Sequence, residues 1–305
     1  MKRLLAAILA LVLLASLAGC GIAKRDDSPP PQDIEINDPP QETETTRSSG
    51  PVAPGTEQIE RTVLFDEDGI RITVNSIDPT EPIFGLAMDF TLENNTDKNL
   101  TFVTDTCVIN GYSVGSYLYE KVAPHSSIDT TADFDFELAK EESGSECIVD
   151  LDLYLYVEDS DTYDIIKTIG PVHLETNAKG DYSYSYDDSG AAAVDDANLK
   201  ITLRELKYDE FDGQYQEFYV ENKTSKPISV SLENVTINGK ECDPYFYLAC
   251  APYSHAFGHI SFPESAMKEV SVTDIEELGF SIKVFETETF NTIYESGDLV
   301  VTYDE

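Results

Sequence analysis

The sequence reads Glu93-Asn94-Asn95-Thr96-Asp97-Lys98, then Ile109-Asn110-Gly111, Tyr117-Leu118-Tyr119 and Ala123-Pro124-His125-Ser126. It continues with Glu221-Asn222-Lys223-Thr224-Ser225-Lys226, then Ile237-Asn238-Gly239, Tyr245-Phe246-Tyr247 and Ala251-Pro252-Tyr253-Ser254. Each block of the second series lies 128 residues after its counterpart in the first. Four separate matches at one offset indicate an internal repeat, so the chain contains two copies of one domain.

The repeat extends on both sides of these blocks. Residues 70–74 match 199–203 at an offset of 129, and residues 151–157 match 278–284 at an offset of 127. The offset changes by one residue at a time, so single-residue insertions or deletions separate the matching blocks. Each copy is about 110 residues long, an ordinary size for a domain with one hydrophobic core.

Apolar and polar residues alternate within each copy. Leu151, Leu153, Leu155 and Val157 are separated by acidic and tyrosine residues, and residues 84–92 and 134–138 contain similar alternations. Successive side chains of a β-strand point to opposite faces, so each run predicts a strand with one buried and one wet face. No stretch has a convincing helical pattern.

One strand is expected to differ between the copies. Gln214 and Gln216 stand where the first copy has Leu86 and Met88. We expect this part of the second strand to lie nearer a sheet edge or to be less buried, because glutamine is rarely buried.

The Asn-Gly pairs mark tight hairpins, because both central positions of a type I′ turn need a positive φ. Seven to eight short strands per copy, roughly, with turn residues between them predict an all-β fold of two tandem β-sandwich domains. The repeated blocks resemble the immunoglobulin-like domains of surface lipoproteins from Gram-positive bacteria of the Firmicutes type. The resemblance implies Ig-like sandwiches at about 58–175 and 195–304. It implies no specific activity.

The N-terminus has the features of a lipoprotein signal peptide. Lys2 and Arg3 precede an apolar run from Leu4 to Leu14, and Leu17-Ala18-Gly19-Cys20 resembles a bacterial lipobox. The resemblance implies cleavage before Cys20 and a diacylglycerol on its sulfur, which would anchor the protein to the extracytoplasmic face of the cell membrane. The alternative is an ordinary secretory signal with an unrelated cysteine.

We therefore divide the chain into five segments. Residues 1–19 are the signal peptide, and residues 20–57 are the lipidated cysteine and a proline-rich, acidic tether that we expect to be disordered. Residues 58–175 are the first sandwich, 176–196 a linker and 197–305 the second sandwich. In the linker, Tyr182, Tyr184 and Tyr186 alternate with serine, which is compatible with an added strand, although a flexible hinge is favoured.

The chain is strongly acidic, with a formal net charge of −38. Such a charge argues against binding nucleic acid or anionic lipid head groups electrostatically. It favours cations or basic partners, or simply a well-solvated surface.

Two groups of residues have the composition of metal sites. Glu158, Asp159 and Asp161 are closely spaced oxygen ligands that could bind calcium, although no EF-hand loop is present. The sequence therefore predicts no cofactor, with calcium as the alternative. Cys242, Cys250, His255 and His259 could bind zinc. The first copy lacks their equivalents, however, and Ala256, Gly258 and Ile260 are expected to face the core, which directs both histidines outward.

The remaining cysteines fall two to a domain. Two cysteines in each domain of a protein outside the cytoplasm predict one disulfide per copy, Cys107 with Cys147 and Cys242 with Cys250. Buried free thiols are the alternative, since the two copies place their cysteines at different positions.

No catalytic motif is present in the sequence, so we predict that the protein is not an enzyme. The first hypothesis is a binding or adhesion protein whose partner is an envelope protein or a wall polymer. The second is a passive structural stalk or accessory subunit of an envelope complex. A binding protein should expose an apolar or aromatic patch, and the tyrosines near the Asn-Gly hairpins are the candidates: Tyr112, Tyr117, Tyr119, Tyr245 and Tyr247.

Overall fold

The computed structural model describes residues 51–210 and 212–303. The predictions for the signal peptide, for Cys20 and for most of the tether lie outside these residues. Residues 51–57, predicted as the end of the tether, instead contact the first sandwich and the segment predicted as the linker. The backbone N–H of Val52 donates to Asp181, and the buried carboxylate of Glu57 accepts the N–H of Ile148 at 3.0 Å.

The first copy folds into two facing sheets. Its elements are β1 (Thr62–Glu67), β2 (Ile70–Asp78), β3 (Gly85–Asn94), β4 (Leu100–Ile109), β5 (Tyr112–Val114), β6 (Ser116–Tyr117), β7 (Tyr119–Val122), β8 (Ser126–Asp135), α1 (Glu137–Ser143), β9 (Asp150–Asp159) and β10 (Ile165–Glu175). One sheet has the order β1-β2-β3-β8-β6. The other runs β10-β9-β4, and β4 also pairs with β5 and β7.

The second copy repeats this arrangement. Its elements are β11 (Ala191–Asp195), β12 (Leu199–Asp209), β13 (Gly213–Asn222), β14 (Ile228–Ile237), β15 (Lys240–Glu241), β16 (Tyr247–Cys250), β17 (His255–Phe262), α2 (Glu264–Glu269), β18 (Glu277–Glu286), β19 (Thr292–Glu295) and β20 (Leu299–Thr302). One sheet contains β11, β12, β13 and β17, and the other contains β14, β15, β16, β18, β19 and β20.

The strand order has the Greek-key pattern of an Ig-like sandwich. In the first copy β2, β3 and β8 are neighbours, while the strands between them in sequence, β4 and β7, pair in the opposite sheet. The second copy has the same order with β12, β13 and β17 opposite β16, β14 and β18. The structure confirms the predicted all-β fold of two Ig-like β-sandwiches.

The alternation of side chains places the cores as predicted. Leu151, Leu153, Leu155 and Val157 on β9 are all buried. They belong to one core cluster, and their second-copy equivalents on β18 belong to another.

The prediction for the two glutamines of β13 holds for Gln214, which is only partly buried, and is wrong for Gln216. Gln216 is fully buried on β13, which lies between β12 and β17 and is therefore not an edge strand. Its amide donates to the carbonyl of Glu217 at 2.7 Å, and its side-chain oxygen accepts the Tyr303 hydroxyl at 2.5 Å. A buried amide is tolerated where its hydrogen bonds are made.

The expectation that the chain contains no helix is wrong at two equivalent places. Helix α1 has seven residues and α2 has six, and each follows the strand that ends at Asp135 or Phe262. Each buries a single side chain, Ala139 or Met267, so neither shows a helical apolar stripe in the sequence. Within 51–210 and 212–303, neither helix has the length or apolar character of a membrane span.

The Asn-Gly pairs turn the chain as predicted and also bind the strand beside them. Asn110 and Asn238 have φ of 49° and 50°, as a type I′ turn requires. Each side chain then accepts two backbone N–H groups at the start of the neighbouring strand and donates to a carbonyl, of Cys147 or Asp274.

A joint connects the two sandwiches through one continuous sheet. β5 of the first copy pairs with β17 of the second, so the strand order continues from β4 through β5 and β17 to β13. The backbone N–H of His255 donates to the carbonyl of Gly111 at 2.9 Å. Ser113 accepts the N–H of Ala251 at 2.8 Å and bonds to the Ser254 hydroxyl at 2.6 Å.

Aromatic rings fill the apolar part of this joint. Tyr112 is fully buried and stacks on Phe257 with ring centroids 5.2 Å apart. Tyr219 and His255 pack beside them, and Tyr186 from the predicted linker stacks on His255. Burying aromatic rings is the main source of interface free energy, so these contacts hold the two sandwiches together.

Ion pairs close one side of the joint. Glu142 of α1 lies 2.7 Å from the ammonium of Lys207 and 3.6 Å from the guanidinium of Arg204, both on β12. Lys207 also pairs with Glu217 at 2.8 Å. The carboxylates raise the pKa of Lys207 although burial lowers it, so this lysine stays charged.

The segment predicted as a hinge is ordered structure. Tyr184 donates to Asp150 at 2.9 Å, and residues 191–195 form β11, which pairs with β12. The two sandwiches belong to one compact unit.

Replacing Tyr112 should separate the two sandwiches. We expect Tyr112→Ala to lower the free energy of unfolding by about 3–5 kcal/mol, because a buried aromatic ring is removed from the joint. Thermal unfolding by calorimetry should then show two transitions instead of one. The matched control is Lys240→Ala at the equivalent exposed position of the second copy, which should change stability by at most about 0.5 kcal/mol. A small loss for Tyr112→Ala would contradict the role of the joint.

The joint should weaken in acid because of His255. Burial lowers the pKa of His255 to about 4, although Asp188 raises it slightly. The unfolded chain, with a histidine pKa of about 6.5, binds this proton more readily, so stability falls as the pH drops from about 6.5 toward 4 by up to about 3 kcal/mol. Urea unfolding at about pH 7 and about pH 5 measures this loss. His255→Gln should remove much of it, and His125→Gln, an exposed control, should not.

Candidate ligand-binding turns

Two equivalent hairpin turns present exposed aromatic rings. We name residues 159–164 the first aromatic turn and residues 286–291 the second aromatic turn. The first joins β9 to β10, and the second joins β18 to β19. Tyr163 is 64% exposed and Phe290 is 68% exposed, and the two residues match at the repeat offset of 127.

The two turns have the same hydrogen bonds. In the first, the N–H of Asp159 donates to the carbonyl of Asp164 at 2.9 Å and that of Tyr163 donates to Asp159 at 2.8 Å. In the second, Glu286 donates to Asn291 at 3.0 Å and Phe290 donates to Glu286 at 2.9 Å. The turns therefore share one backbone conformation.

That conformation is unfavourable for an aromatic residue. Tyr163 has φ of 62° and Phe290 has φ of 57°, in the left-handed region where glycine and asparagine are usual. A larger side chain costs about 1–2 kcal/mol in this region. Both copies thus carry a bulky exposed ring where the backbone favours a small residue.

Other apolar side chains adjoin each turn. Ile165 and Ile166 follow the first turn and are 61% and 40% exposed, and Ile293 follows the second at 44%. Phe285 stacks on Phe290 with ring centroids 5.9 Å apart, and Tyr247 lies 6.4 Å from Phe285. These contacts form an exposed apolar surface on the second sandwich.

A chain of hydroxyl groups lies beneath each turn. In the second copy, Ser229 bonds both the Tyr247 hydroxyl and Thr287, each at 2.8 Å. In the first copy, Thr101 bonds Ser160 at 2.8 Å, and a hydrogen bond with Thr101 lowers the pKa of Tyr119 against the larger effect of burial. Tyr119 and Tyr247 are thereby fixed in equivalent places.

An ion pair lies at the start of each turn. Lys98 lies 2.8 Å from Asp159, and Lys226 lies 2.6 Å from Glu286. The lysine hydrogen bond holds the pKa of each carboxyl below its ordinary value.

The candidate calcium site is not assembled. Glu158 and Asp159 are consecutive residues of β9, so their side chains point to opposite faces of the strand. Glu158 accepts the Tyr119 hydroxyl at 3.3 Å, and Asp159 is occupied by Lys98. Asp161 is exposed, and its backbone N–H donates to Asp159. Among residues 51–210 and 212–303, no group of three possible ligands converges as a metal site requires.

The zinc candidates are likewise dispersed. His255 bonds the Tyr219 hydroxyl at 2.6 Å, His259 lies 3.7 Å from Asp212, and the Cys250 thiol donates to the carbonyl of Ser254. Ala256 and Ile260 face the core as predicted. His255 points away from its own sandwich as predicted, but the first sandwich covers it, which sequence analysis of one domain could not reveal.

Neither predicted disulfide is present, and all four described cysteines are free. Cys107 on β4 pairs in register with Leu153 on β9, and Leu153 lies six residues after Cys147 in the sequence. Cys250 is level with Ile228 on β14, whereas Cys242 bonds Val235 near the other end of that strand. Disulfides need Cα atoms within about 7 Å. Burial raises the pKa of Cys147 to about 12 and of Cys250 to about 11, so both remain thiols.

The five predicted tyrosines do not form one patch. Tyr112 is buried in the joint, and Tyr117 packs on Phe84 at 5.1 Å. Tyr245 is 71% exposed and precedes β16. Tyr119 and Tyr247 are exposed at equivalent positions beside the aromatic turns.

Sequence reasoning missed Tyr163 and Phe290. The acidic residues around Tyr163 drew attention to metal binding instead. The usable signal was the repeat itself, because the offset of 127 aligns an aromatic residue with an aromatic residue inside a polar turn of both copies.

Removing the strained ring should not harm the fold. We expect Tyr163→Asn to raise the free energy of unfolding by about 0.5–1 kcal/mol, because asparagine tolerates the left-handed conformation better than tyrosine. Urea unfolding would measure the change. Tyr208→Asn is the control, since Tyr208 is 73% exposed on a regular strand and its replacement relieves no such strain. A loss above about 1 kcal/mol for Tyr163→Asn would show that the ring is needed for folding.

Comparison with known proteins gives no family for this chain. No family model matches it, and no curated protein matches it. A solved structure of the chicken interferon gamma receptor alpha chain is 8% identical, with 81% of this chain and 98% of that chain covered and a TM-score of 0.23. A β-glucuronidase from Bacteroides uniformis is 9% identical, with coverages of 71% and 26% and a TM-score of 0.24. A protein of unknown function from Porphyromonas gingivalis is 10% identical, with coverages of 66% and 83% and a TM-score of 0.17. None of the three assigns a function to this chain.

Proposed function

We propose that the protein is a non-catalytic binding protein, held at the extracytoplasmic face of a membrane by lipid on Cys20. Its partner is an envelope protein or a wall polymer that contacts the two aromatic turns. One observation carries this proposal: both copies keep an exposed aromatic ring in a left-handed backbone conformation.

The fold gains little from these rings. An exposed ring buries almost no area, and its backbone conformation costs about 1 kcal/mol or more. Unfavourable backbone geometry at an exposed position is typical of sites that contact a ligand. The presence of the same feature in two copies that differ at many other positions supports a shared role.

The joint adds to this role by fixing both turns in one body. Two binding sites held in a fixed arrangement act together without the entropic cost of a flexible linker. A partner that offers two matching contacts would therefore be bound more tightly than through either turn alone.

The proposal assigns no catalytic residue. His125 bonds Asp97 and His173 bonds Asp152, each at 2.8 Å. His255 bonds Tyr219, and His259 lies beside Asp212. Each of these contacts holds an imidazole ring in place, either inside the fold or on its surface.

A structural stalk is the second candidate, and the joint is the observation that favours it. A continuous sheet with buried aromatic residues and ion pairs makes a stiff two-domain rod. Such a rod would present a partner at a set distance from the membrane without binding through the turns.

Photo-crosslinking in the native cells distinguishes the two candidates. A photoreactive residue placed at position 163 or 290 of the full chain should capture one recurring partner in the membrane fraction. The same residue at position 208 should not, because Tyr208 is equally exposed but lies on β12, which belongs to neither turn.

Two results would count against the proposal. Equal capture from all three positions would favour the stalk. Recovery of the uncrosslinked protein from the soluble fraction would contradict the lipid anchor.

A further inference from the structure

The charges around the first aromatic turn are mostly negative. Glu158, Asp159, Asp161 and Asp164 lie within seven consecutive residues. Lys98 pairs with Asp159, and Lys121 is close enough to lower the pKa of Glu158 against the larger, opposite effect of burial. The exposed carboxylates of Asp161 and Asp164 therefore add negative charge on either side of the Tyr163 ring.

The second aromatic turn carries the same sign of charge. Glu286 and Glu288 lie on it, and Lys226 is paired with Glu286. Burial and then the Glu288 carboxylate raise the pKa of Asp105, which places a carboxylate of the first sandwich near this turn. Phe290 thus lies in a negative potential as well.

An exposed ring surrounded by carboxylates is a favourable place for an organic cation. The face of an aromatic ring attracts ammonium and guanidinium groups, and neighbouring carboxylates add to that attraction. The part of the chain that the structure describes, residues 51–210 and 212–303, has this contact at two places. Lys167 lies 5.0 Å from the ring centroid of Phe65, and Arg204 lies 5.2 Å from that of Phe257.

The apolar neighbours select the rest of the ligand. Ile165, Ile166 and Ile293 are exposed beside the turns. Isoleucine side chains can neither donate nor accept the hydrogen bonds that the hydroxyl groups of a sugar need, and they suit apolar side chains of a protein.

We infer that the two aromatic turns bind a basic protein segment. Its Lys or Arg side chains lie over Tyr163 and Phe290, and its apolar side chains pack on Ile166 and Ile293. This inference rests on the proposed function and names the class of partner. It commits to a protein with a basic surface rather than a wall glycan.

Titration of the full chain with three probes tests the inference. The probes are a 12-residue peptide alternating Lys and Leu, its Glu-Leu counterpart and a β-1,4-linked tetramer of N-acetylglucosamine. Amide NMR shifts locate the contact, and calorimetry gives Kd. The Lys-Leu peptide should shift residues of the two turns and their isoleucine neighbours, and the other two probes should not.

Variants separate a specific site from general attraction to an acidic protein. The Tyr163→Asn and Phe290→Asn double variant keeps every charge, and loss of two cation–π contacts should weaken Kd by at least about fivefold. Asp161→Asn with Asp164→Asn should also weaken it. Glu60→Gln with Glu210→Gln removes the same number of exposed charges elsewhere and should leave Kd within about twofold.

Three outcomes would overturn the inference. They are binding of the sugar probe at the turns without the basic peptide, equal weakening by both pairs of charge variants, and no shift of the turn residues by the basic peptide. The proposed function would survive each of these if crosslinking from positions 163 and 290 captures a partner. Failure of that capture would sink the proposed function itself.

Discussion

The end of each sandwich that bears its aromatic turn depends on one buried asparagine. Asn94 donates to the carbonyls of Lys98, Val122 and Ala123, and its oxygen accepts the N–H of Thr96. Asn222 makes the same bonds in the second copy. Buried carbonyls without partners are costly, so this side chain fixes the turn after β3 to the turn before β8. The aromatic turns attach to the same structure: Ser160 donates to the carbonyl of Asn99, and Thr287 to that of Pro227.

The blocks that make the repeat visible in the sequence thus belong mainly to the scaffold. Asn94 and Asn110, which are the clearest matches to the second copy, satisfy backbone groups and form turns. The rings of Tyr163 and Phe290 contribute little to the fold. The two turns match in side-chain type along their length, although only Thr162 and Thr289 are identical. Sequence identity between the copies therefore reports mainly what the fold needs, while the exposed rings of the two aromatic turns are better explained by a role at the surface.

The sequence alone was sufficient for the all-β class, the duplication, the alternating core of β9 and the Asn-Gly turns, because these depend on local patterns. It was insufficient wherever a contact joins distant residues. The local sequence predicts that Tyr112 is exposed, and it is the pairing of β5 with β17 that buries it. The local sequence predicts that Gln216 is not buried, because the Tyr303 hydroxyl that bonds its side chain lies 87 residues away. The alignment of Tyr163 with Phe290 is visible in the repeat, but the left-handed backbone at both residues is visible only in the structure.

The joint forms between the two copies within one chain, and differences between the copies disfavour the same contact between two separate chains. Two copies of the chain placed head to tail would bring the equivalent positions together. In such a contact between two chains, Lys240 would take the place of Tyr112 and Asp129 the place of Phe257. The stacked aromatic pair would be replaced by two side chains that prefer water. The ion pair between Glu142 and Lys207 would also be lost, because Glu269 stands at the position of Glu142 and Asp78 at that of Lys207. Carboxylates facing one another are unfavourable, and a contact of this head-to-tail kind would otherwise extend into a filament. The substitutions that distinguish the two copies thus make a second joint of this kind, between chains, unfavourable.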